Sequence, residues 1–354
     1  MSTPLVTALI DTYNHQLFIE DAINSVLRQD FPASEIEIVV VDDGSTDRTP
    51  EIVRGFEPRV RLIRKPNGGQ GSAFNTGIPE CRGEIIAFLD GDDWWVPGKL
   101  AKVLAVFDRH PEIGMVGHGT IAFYEDGKRH TEILKEAARF SLNSMEGVEM
   151  FRVRKNFLGT RTTVRASVLR RLLPVPEVIR IEADEFVFTM AAAFAEVYIL
   201  PEALFHYRIH GNNQFSLTGF DKNRIRHKQQ SLAHLAEHLT TRLRAAGVGE
   251  EIVRGVVQDV QVEADQLRLS VDGGFPWETV STELRIMRLF YSDASIWQHL
   301  FSCVRLIPAV ILPASTYYRW RRWLSLLAFY QKFRQKFLPF PVPSHVERRE
   351  KLAP

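Results

Sequence analysis

The sequence predicts an α/β protein with a mostly parallel sheet, helices on both faces and a helical C-terminal region. Up to about residue 220, short apolar runs of strand length alternate with amphipathic segments of helix length, a pattern typical of parallel sheets. Two of the strand-like runs end directly in groups of aspartate residues. From Lys222 onward, the apolar residues recur at helical spacing only.

The individual elements follow from the spacing of apolar residues and from the turn residues between them. Strands are expected over residues 5–10, 36–41, 60–63, 84–89, 113–123, 197–200 and 205–209. Helices are expected over residues 17–29, 46–56, 68–80, 97–110, 164–173 and 181–194, with weaker helical character over 141–154. Ser45 or Thr46 is expected to cap the second of these helices.

Aspartate residues follow two of the expected strands at the point where each strand ends. They are Asp90, Asp92 and Asp93 after one strand, and Asp42 and Asp43 after another. Carboxylates this close repel each other and are costly to bury unless a cation compensates them. A divalent metal that carries a phosphorylated ligand is the simplest partner for such a strand end. The alternative for the segment 43–46 is an ordinary turn and helix cap.

The patterns divide the chain into three regions: an α/β domain over residues 1–221, a helical region over 222–298, and a basic and aromatic tail over 299–354. Residues 299–337 of the tail mix arginine and lysine with tryptophan, tyrosine and phenylalanine, and contain no aspartate or glutamate. This mixture favours peripheral contact with an anionic membrane. The alternative is a basic helix packed on the α/β domain, with exposed arginines.

Composition excludes several classes of protein. The chain has 354 residues, of which 45% are hydrophobic and 25% charged, as in ordinary globular proteins. Its net charge of +1 argues against a nucleic-acid partner. Two cysteines, Cys81 and Cys303, cannot form a disulfide framework or a cysteine-rich metal site. We expect no signal peptide and no membrane-spanning helix.

Four motifs in order along the first 220 or so residues resemble those of family 2 glycosyltransferases. They are Asp11-Thr12-Tyr13-Asn14, the segment 40–47, the segment 88–93 and the segment 206–213. The resemblance implies the GT-A fold, a Rossmann-like and mostly parallel sheet. It also implies transfer of a sugar from a nucleotide-sugar donor to an acceptor hydroxyl, usually with inversion.

The resemblance further implies roles for individual residues. Contacts with the nucleotide sugar are expected from Thr12, Tyr13, Asn14, Asp42, Asp43, Gly69, Gln70, Asn75, Asp90, Gly91, Asp92 and Arg208. Thr12 and Tyr13 would lie against the base, and Asp43 would hold the uracil or ribose. The expected metal ligands are Asp92, Asp93 and His210, although His210 could equally be an exposed residue at a strand end. Asp184 or Glu185 matches the place of the catalytic base.

Physical chemistry supports these roles independently. A divalent cation neutralises the negative charge that gathers on a departing nucleoside diphosphate, and Mn²⁺ or Mg²⁺ prefers oxygen ligands. An attacking hydroxyl needs a carboxylate to accept its proton. Successive helix positions point about 100° apart, so only one of Asp184 and Glu185 is expected to face the site, and we favour Asp184. The alternative is that both are ordinary acidic residues at a helix N-terminus.

The chain departs from the family pattern at several places. Asp11 stands where many members carry proline, and Phe74 stands where many carry arginine. The Gln-x-x-Arg-Trp motif of processive members is absent from its expected region. The absence argues against a polymerising synthase with transmembrane helices.

We therefore expect a metal-dependent, inverting, non-processive hexosyl- or N-acetylhexosaminyltransferase that uses a UDP-sugar. Its expected acceptor is a saccharide or lipid-linked intermediate of cell-envelope polysaccharide or glycolipid synthesis. The expected location is the cytoplasm, at the inner face of the cytoplasmic membrane. Three alternatives remain open at this stage: a polyprenyl-phosphate sugar synthase, a non-catalytic nucleotide-binding scaffold, and a nucleotidyltransferase.

Overall fold

The computed structural model describes residues 5–210, 221–290 and 306–326. The strands are β1 (Val6–Thr12), β2 (Ile36–Asp42), β3 (Arg61–Arg64), β4 (Ile85–Asp90), β5 (Trp94–Trp95), β6 (Ile113–Tyr124), β7 (Arg129–Glu132), β8 (Ala138–Phe140), β9 (Thr163–Arg165) and β10 (Glu196–Ile209). The helices are α1 (Ile19–Leu27), α2 (Thr49–Arg54), α3 (Gln70–Glu80), α4 (Lys99–Arg109), α5 (Met145–Arg154), α6 (Ala166–Leu172), α7 (Ala183–Phe194), α8 (Lys222–Ala245), α9 (Glu250–Asp272), α10 (Pro276–Phe290) and a last helix, Ala314–Leu326. Residues 306–311 are also helical.

All ten described strands belong to one sheet, whose main order is β3-β2-β1-β4-β9-β6-β10-β5. Strand β1 pairs in parallel with β2 and β4, β2 with β3, and β10 with β6. The expected α/β fold with a largely parallel sheet is therefore confirmed. The short strands β5, β7, β8 and β9 pair antiparallel at the edges or between the two parallel groups, and the sequence did not predict them.

Helices pack on the sheet through apolar residues at helical spacing. Every residue of β2 is buried, as expected for a central strand that is covered on both faces. Helix α1 buries Ile19, Ala22, Ile23 and Val26 against this sheet core. Because each fully buried aliphatic side chain contributes roughly 1.5–3 kcal/mol, this packing fixes the strand ends in place.

Three local expectations differ from the structure. Helix α2 begins at Thr49 without a side-chain cap, because Ser45 accepts a hydrogen bond from the N–H of Asn14 instead. The helix expected over 164–173 begins at Ala166, because Thr163–Arg165 pair as a strand with β4 and β6. The strands expected over 197–200 and 205–209 form one continuous strand, β10.

The chain forms two compact units. The first comprises Met1–Gly211 and His238–Gly255 and holds the sheet, and the second comprises Asn212–Glu237 and Val256–Pro354. The second unit has a small core of its own, made of Leu269, Ala309, Ala314, Tyr317 and Tyr318. The division into residues 1–221, 222–298 and 299–354 stays a prediction. Across the three described ranges, we find no helix with the length and apolar character needed to cross a membrane.

Candidate active site

The ends of three neighbouring strands bring the two acidic turns to one edge of the sheet. In the register of β1 with β2, Thr12 lies beside Asp42. In the register of β1 with β4, Asp11 lies beside Asp90. The two turns therefore share one polar edge at the carboxyl ends of the strands, which is where α/β proteins bind ligands.

Asp90, Asp92 and Asp93 each place a carboxylate oxygen within 4.8 Å of the others. Burial and then neighbouring carboxylates raise the pKa of Asp90 and the pKa of Asp93 well above the usual value. Asp93 Oδ1 accepts a hydrogen bond from the N–H of Arg208 at 2.7 Å, whereas its buried Oδ2 has no partner among the described residues. A divalent cation would relieve the repulsion and use this oxygen, so the residues fit Mg²⁺ or Mn²⁺.

Asp92 has an environment different from that of its two neighbours, because two histidines lie beside it. His210 Nε2 donates to Asp92 Oδ2 at 3.1 Å, and His15 Nε2 lies 3.9 Å from the same oxygen. Burial opposes ionisation of Asp92, but the hydrogen bond from His210 and the charges of both histidines lower its pKa below the usual value. Asp92 is therefore the member of the cluster that is most readily ionised to hold a cation.

His15 lies beside the acidic turn, and the sequence analysis did not include it among the candidate site residues. Its Nδ1 lies 3.2 Å from the hydroxyl of Thr12, and its N–H donates to Thr49 Oγ1 at 2.9 Å. Burial is the main cause of the lowered pKa of His15. A lone histidine in a turn gives no sequence signal, since its neighbour Asp92 is distant along the chain.

The carboxylate of Asp90 is held from two sides. Thr160 Oγ1 donates to Asp90 Oδ2 at 2.6 Å, and Gln70 Nε2 lies 3.4 Å from Asp90 Oδ1. The same Gln70 nitrogen lies 3.5 Å from Asp11 Oδ2. Burial is the main reason that the pKa of Asp11 rises to about 7, and the charges of Asp184 and Asp92 raise it further. Gln70 thus joins two strand-end carboxylates, while Thr160 fixes one of them.

Thr160 belongs to a turn that is held in place by hydrogen bonds of the next residue, Arg161. Arg161 donates from Nη1 to Thr120 Oγ1 at 2.7 Å and to the carbonyl of Asn156 at 2.8 Å. Lys99, which is 0% exposed, donates from Nζ to the carbonyl of Arg161 at 3.2 Å and lies 4.4 Å from the centre of the Trp95 ring. Burial holds the pKa of Lys99 well below its usual range. These contacts hold the turn against the strand ends.

The two candidate bases at the start of α7 have different partners. Lys155 Nζ donates to Glu185 Oε1 at 2.8 Å, so the Glu185 carboxylate is ion-paired. We find no such ion pair for Asp184 within the described ranges, and its N–H donates to Gln70 Oε1 at 3.3 Å. Burial first, and then the charge of Glu185, raises the pKa of Asp184 to about 6. A carboxylate with a raised pKa beside the acidic strand ends can accept a proton near neutral pH.

Asp43 organises the glycine-rich segment before α3. Its Oδ1 accepts from Lys65 Nζ at 2.6 Å and from the N–H of Gly68 at 3.0 Å, and its Oδ2 accepts from the N–H of Gly69 at 2.7 Å. Gly69 has a φ of 85°, and a Cβ there would lie 3.2 Å from the carbonyl oxygen of Arg180. Glycine is therefore required at Gly69, and Asp43 shapes this wall of the site, while its contact with a ligand stays a prediction.

The remaining expected contacts fall into two groups. Tyr13 is 37% exposed, whereas Thr12 is buried and Asp42 is fully buried with its Oδ2 accepting from Arg64 Nε at 3.0 Å. Asn14, at a φ of 57°, accepts from the N–H of Thr46 at 2.8 Å. Tyr13 is thus the member of this group with an accessible ring, while the others hold the turn that presents it.

Two other expected binding residues have structural partners. Asn75 donates to the carbonyl of Val175 at 2.8 Å and accepts from its N–H at 2.7 Å. Gly91 has no room for a side chain, since a Cβ there would lie 2.5 Å from Thr12 Oγ1. Their contact with a donor stays a prediction.

Arg208 closes the site on the side of β10. Its Nε donates to the carbonyl of Asp92 at 3.0 Å, and its Nη2 donates to Asp21 Oδ2 at 2.7 Å. The guanidinium lies 4.8 Å from the centre of the Phe18 ring and 4.5 Å from that of Trp94. Arg208 therefore holds the acidic turn through its own side chain, and a direct contact with phosphate stays a prediction.

Comparison with known proteins identifies the family of the chain. The family described as Glycosyl transferase family 2 matches residues 7–173. A Nostoc protein named glycosyltransferase alr2836 is 30% identical over 256 residues, which cover 70% of this chain and 78% of that protein. Glycosyltransferase EpsJ of Bacillus subtilis is 38% identical over 139 residues, which cover 38% of this chain and 40% of that protein. The chain belongs to glycosyltransferase family 2.

Solved structures share the fold. Staphylococcus aureus TarS 1–349 in complex with UDP-GlcNAc aligns with a TM-score of 0.57 at 21% identity, covering 94% of this chain and 92% of that one. The mannosyltransferase PcManGT of Pyrobaculum calidifontis, in complex with GDP-Man and Mn²⁺, aligns with a TM-score of 0.52 at 19% identity, covering 95% and 84%. The α/β sheet followed by helices is therefore the GT-A fold.

Proposed function

We propose that the chain transfers a sugar from a UDP-sugar to an acceptor hydroxyl in a metal-dependent, inverting and non-processive reaction. One observation carries the proposal: the cluster of Asp90, Asp92 and Asp93 lies at the same sheet edge as a base candidate, Asp184, whose pKa is raised to about 6. A metal and diphosphate site next to a proton acceptor is the pair of functions that glycosyl transfer to a hydroxyl requires.

The assignment of the donor rests on the turns at the strand ends. Tyr13 offers an accessible ring for a base, and Asp43 lies beside the glycine-rich segment at the same edge. TarS, whose structure is named as a complex with UDP-GlcNAc, resembles the chain in sequence as well as in fold, so we assign a UDP-sugar of the hexosyl or N-acetylhexosaminyl type.

The assignment of a metal rests on the carboxylates of the acidic turn. Asp92 and Asp93 would hold Mn²⁺ or Mg²⁺, and His210 either joins them or orients Asp92. When bound, the cation would neutralise the charge of the departing nucleoside diphosphate. Asp90, held by Thr160 and Gln70, would orient the donor beside it.

The assignment of a hydroxyl acceptor rests on Asp184 as the catalytic base. With Glu185 bound to Lys155, Asp184 is the carboxylate available to take the proton of the acceptor hydroxyl. Burial raises the pKa of that carboxyl to about 6, which makes the carboxylate a stronger proton acceptor than an ordinary exposed aspartate. As the proton passes to Asp184, the acceptor oxygen would bond to the anomeric carbon on the face opposite the diphosphate, whose bond to that carbon breaks, and this displacement inverts the anomeric configuration.

We assign the acceptor to a saccharide or lipid-linked intermediate of cell-envelope polysaccharide or glycolipid synthesis, at the inner face of the cytoplasmic membrane. The relative named poly(ribitol-phosphate) beta-N-acetylglucosaminyltransferase TarS, from Staphylococcus aureus, supports an envelope polymer as acceptor class; it is 35% identical over 108 residues, 29% of this chain and 19% of that protein.

A donor screen tests the proposal. Purified protein is incubated with Mn²⁺ and each of several UDP-sugars, and release of UDP is followed with and without candidate acceptors. We expect one UDP-sugar to be consumed, with metal required and with Asp184→Asn inactive in transfer. Consumption of no nucleotide sugar, with UDP binding also absent, would overturn the proposal.

A further inference from the structure

We propose that an exposed apolar surface of the second unit docks on an anionic lipid membrane. The surface is formed by Phe275, Trp277, Leu284, Val310 and Ile311. The inference deepens the proposed function by naming the surface that contacts the membrane. Its biological purpose, access to a membrane-bound acceptor, rests on the proposed function. The residues lie in or just before α10 and in the helical segment 306–311.

Exposed apolar side chains are concentrated in this unit. Seven of the thirteen large hydrophobic residues that are exposed within the described ranges belong to it, although it supplies the smaller part of those ranges. Scattered single exposures are normal on any protein, but a contiguous apolar group marks an interaction surface.

Helix α10 exposes large apolar side chains on its outer side and buries several polar side chains on its inner side. Trp277 is 64% exposed, and Leu284 and Arg288 follow on the same face. The buried residues of the helix are Thr279, Thr282, Glu283 and Ile286, three of which are polar. A helix that buries threonine and glutamate while exposing tryptophan and leucine is built to face an apolar partner.

The segment 306–311 continues the same surface. Ile307, Val310 and Ile311 are exposed, the last of them by 72%, while Ala309 packs in the small core of this unit. Val310 lines one side of a groove of about 570 Å³. The other lining residues are Pro276, Trp277, Val280, Ser281, Leu284, Arg285 and Arg288. The lining of the groove is therefore mostly apolar, and Arg285 and Arg288 are its charged residues.

An aromatic pair stands at the start of α10. The rings of Phe275 and Trp277 stack with centroids 4.1 Å apart at an interplanar angle of 6°, and both are exposed. Trp323, on the last helix, is exposed as well. Tryptophan favours the boundary between lipid headgroups and acyl chains, because its ring is apolar and its N–H can donate to a headgroup.

The charges of Arg288 and of residues 306–326 favour an anionic lipid over a second copy of the chain. Arg288 is exposed, and we find no ion-pair partner for it among the described residues. The described residues 306–326 contain three arginines and no acidic residue, and Arg321 is already paired with Glu283. A symmetric contact between two copies would bring like charges together, whereas anionic headgroups would neutralise them.

Vesicle sedimentation with the full chain tests the proposal. The probes are phosphatidylcholine vesicles with or without phosphatidylglycerol. We expect binding to the anionic vesicles that weakens with salt. Trp277→Ser should reduce binding about tenfold, since it removes one inserted apolar side chain. Arg288→Gln should reduce binding to anionic vesicles by about fivefold and leave binding to neutral vesicles unchanged.

The matched control is Ile133→Ser, which removes a side chain that is 54% exposed in the first unit and should not alter vesicle binding. Thermal unfolding verifies that each variant folds. Equal binding by Trp277→Ser and wild type would overturn the proposal. It would also be overturned if wild type formed a dimer without lipid that Trp277→Ser dissociates.

The same preparation is titrated with UDP and Mn²⁺. Binding of UDP without binding to vesicles would overturn the lipid surface and leave the transferase proposal in place. Binding to vesicles without binding of UDP would support the lipid surface and contradict the transferase proposal.

Discussion

The hydroxyl of Thr160 donates to Asp90 Oδ2 at 2.6 Å, across a separation of 70 residues in the chain. Thr160 lies in the turn before β9, and Asp90 is the last residue of β4, which pairs with β9. The antiparallel strand inserted into the sheet thus brings a hydroxyl onto the first aspartate of the acidic turn. The sequence motifs contain the aspartate but not its partner.

Removing the Thr160 hydroxyl should impair transfer. Thr160→Val keeps the side-chain volume and leaves a buried carboxylate oxygen without its donor, which costs about 1–3 kcal/mol. We expect kcat/KM for the UDP-sugar to fall about tenfold or more, while Thr160→Ser restores most of the activity. Steady-state kinetics of both variants, with thermal unfolding as the folding check, provides the measurement. Unchanged kinetics in Thr160→Val would show that the bond has no role in donor orientation.

The rate of transfer should depend on the protonation of Asp184. Its pKa is raised to about 6 by burial and by Glu185, while Arg161 acts in the opposite direction. The base works when ionised, so the rate should decline as pH falls below about 6. Glu185→Gln removes a nearby negative charge and lowers the pKa of Asp184, so the acid limb of the pH profile should move to lower pH.

The control for this profile is Glu51→Gln, a change of the same kind on the exposed surface of α2. It should leave the acid limb in place. An acid limb that moved upward in Glu185→Gln would contradict the assignment of Asp184 as the titrating base.

The two histidines beside Asp92 should support metal binding. Substitution of groups that orient a metal ligand typically costs 10–100-fold in metal affinity. We expect His210→Ala to weaken Mn²⁺-dependent UDP binding by about tenfold, and His15→Ala to have a smaller effect because it lies farther from Asp92. Calorimetric titration of UDP at fixed Mn²⁺ measures both. Equal affinity for UDP in wild type and both variants would show that neither histidine supports metal binding.

Lys99 should lower the unfolding free energy and raise the rate of transfer. Burial holds its folded pKa well below the usual value, so the unfolded state binds more protons than the folded state in the pH range between the two pKa values. The unfolding free energy therefore rises with pH until the pH passes the unfolded pKa of about 10.4. Lys99→Met should raise the unfolding free energy at pH 7, on the order of 1 kcal/mol, and this gain should shrink as the pH approaches 10.

The same variant should lower the rate of transfer, because the carbonyl of Arg161 loses its donor and the turn of Thr160 loosens. Urea unfolding at several pH values, combined with kinetics, separates the two effects. A Lys99→Met protein that is less stable at pH 7 would show that the amine contributes more through its contacts than its burial costs.

The parallel half of the sheet was predictable because its strands are continuous apolar runs that end in aspartate. Residues 36–41 and 84–89 needed no distant partner to be recognised, and the structure has strands at both places. Strand β9 was hidden inside the apolar pattern that predicts a helix over 164–173, since three residues have too few side chains to show a period.

Side-chain partners at the site depend on contacts between distant segments and were less accessible to sequence reasoning. The pattern placed Asp184 and Glu185 on one helix but could not tell which one pairs with Lys155. The approach of His15 to Asp92 likewise depends on the turn after β1, which only the folded sheet brings near the acidic turn.

The central claim is a metal-dependent nucleotide site at the acidic strand end. Calorimetric titration of UDP into wild type and Asp92→Asn, with and without Mn²⁺, tests it most directly. We predict micromolar binding by wild type that requires Mn²⁺ and is lost in Asp92→Asn, with Glu51→Gln unchanged. UDP binding by wild type that is independent of Mn²⁺ and unaffected by Asp92→Asn would contradict the claim.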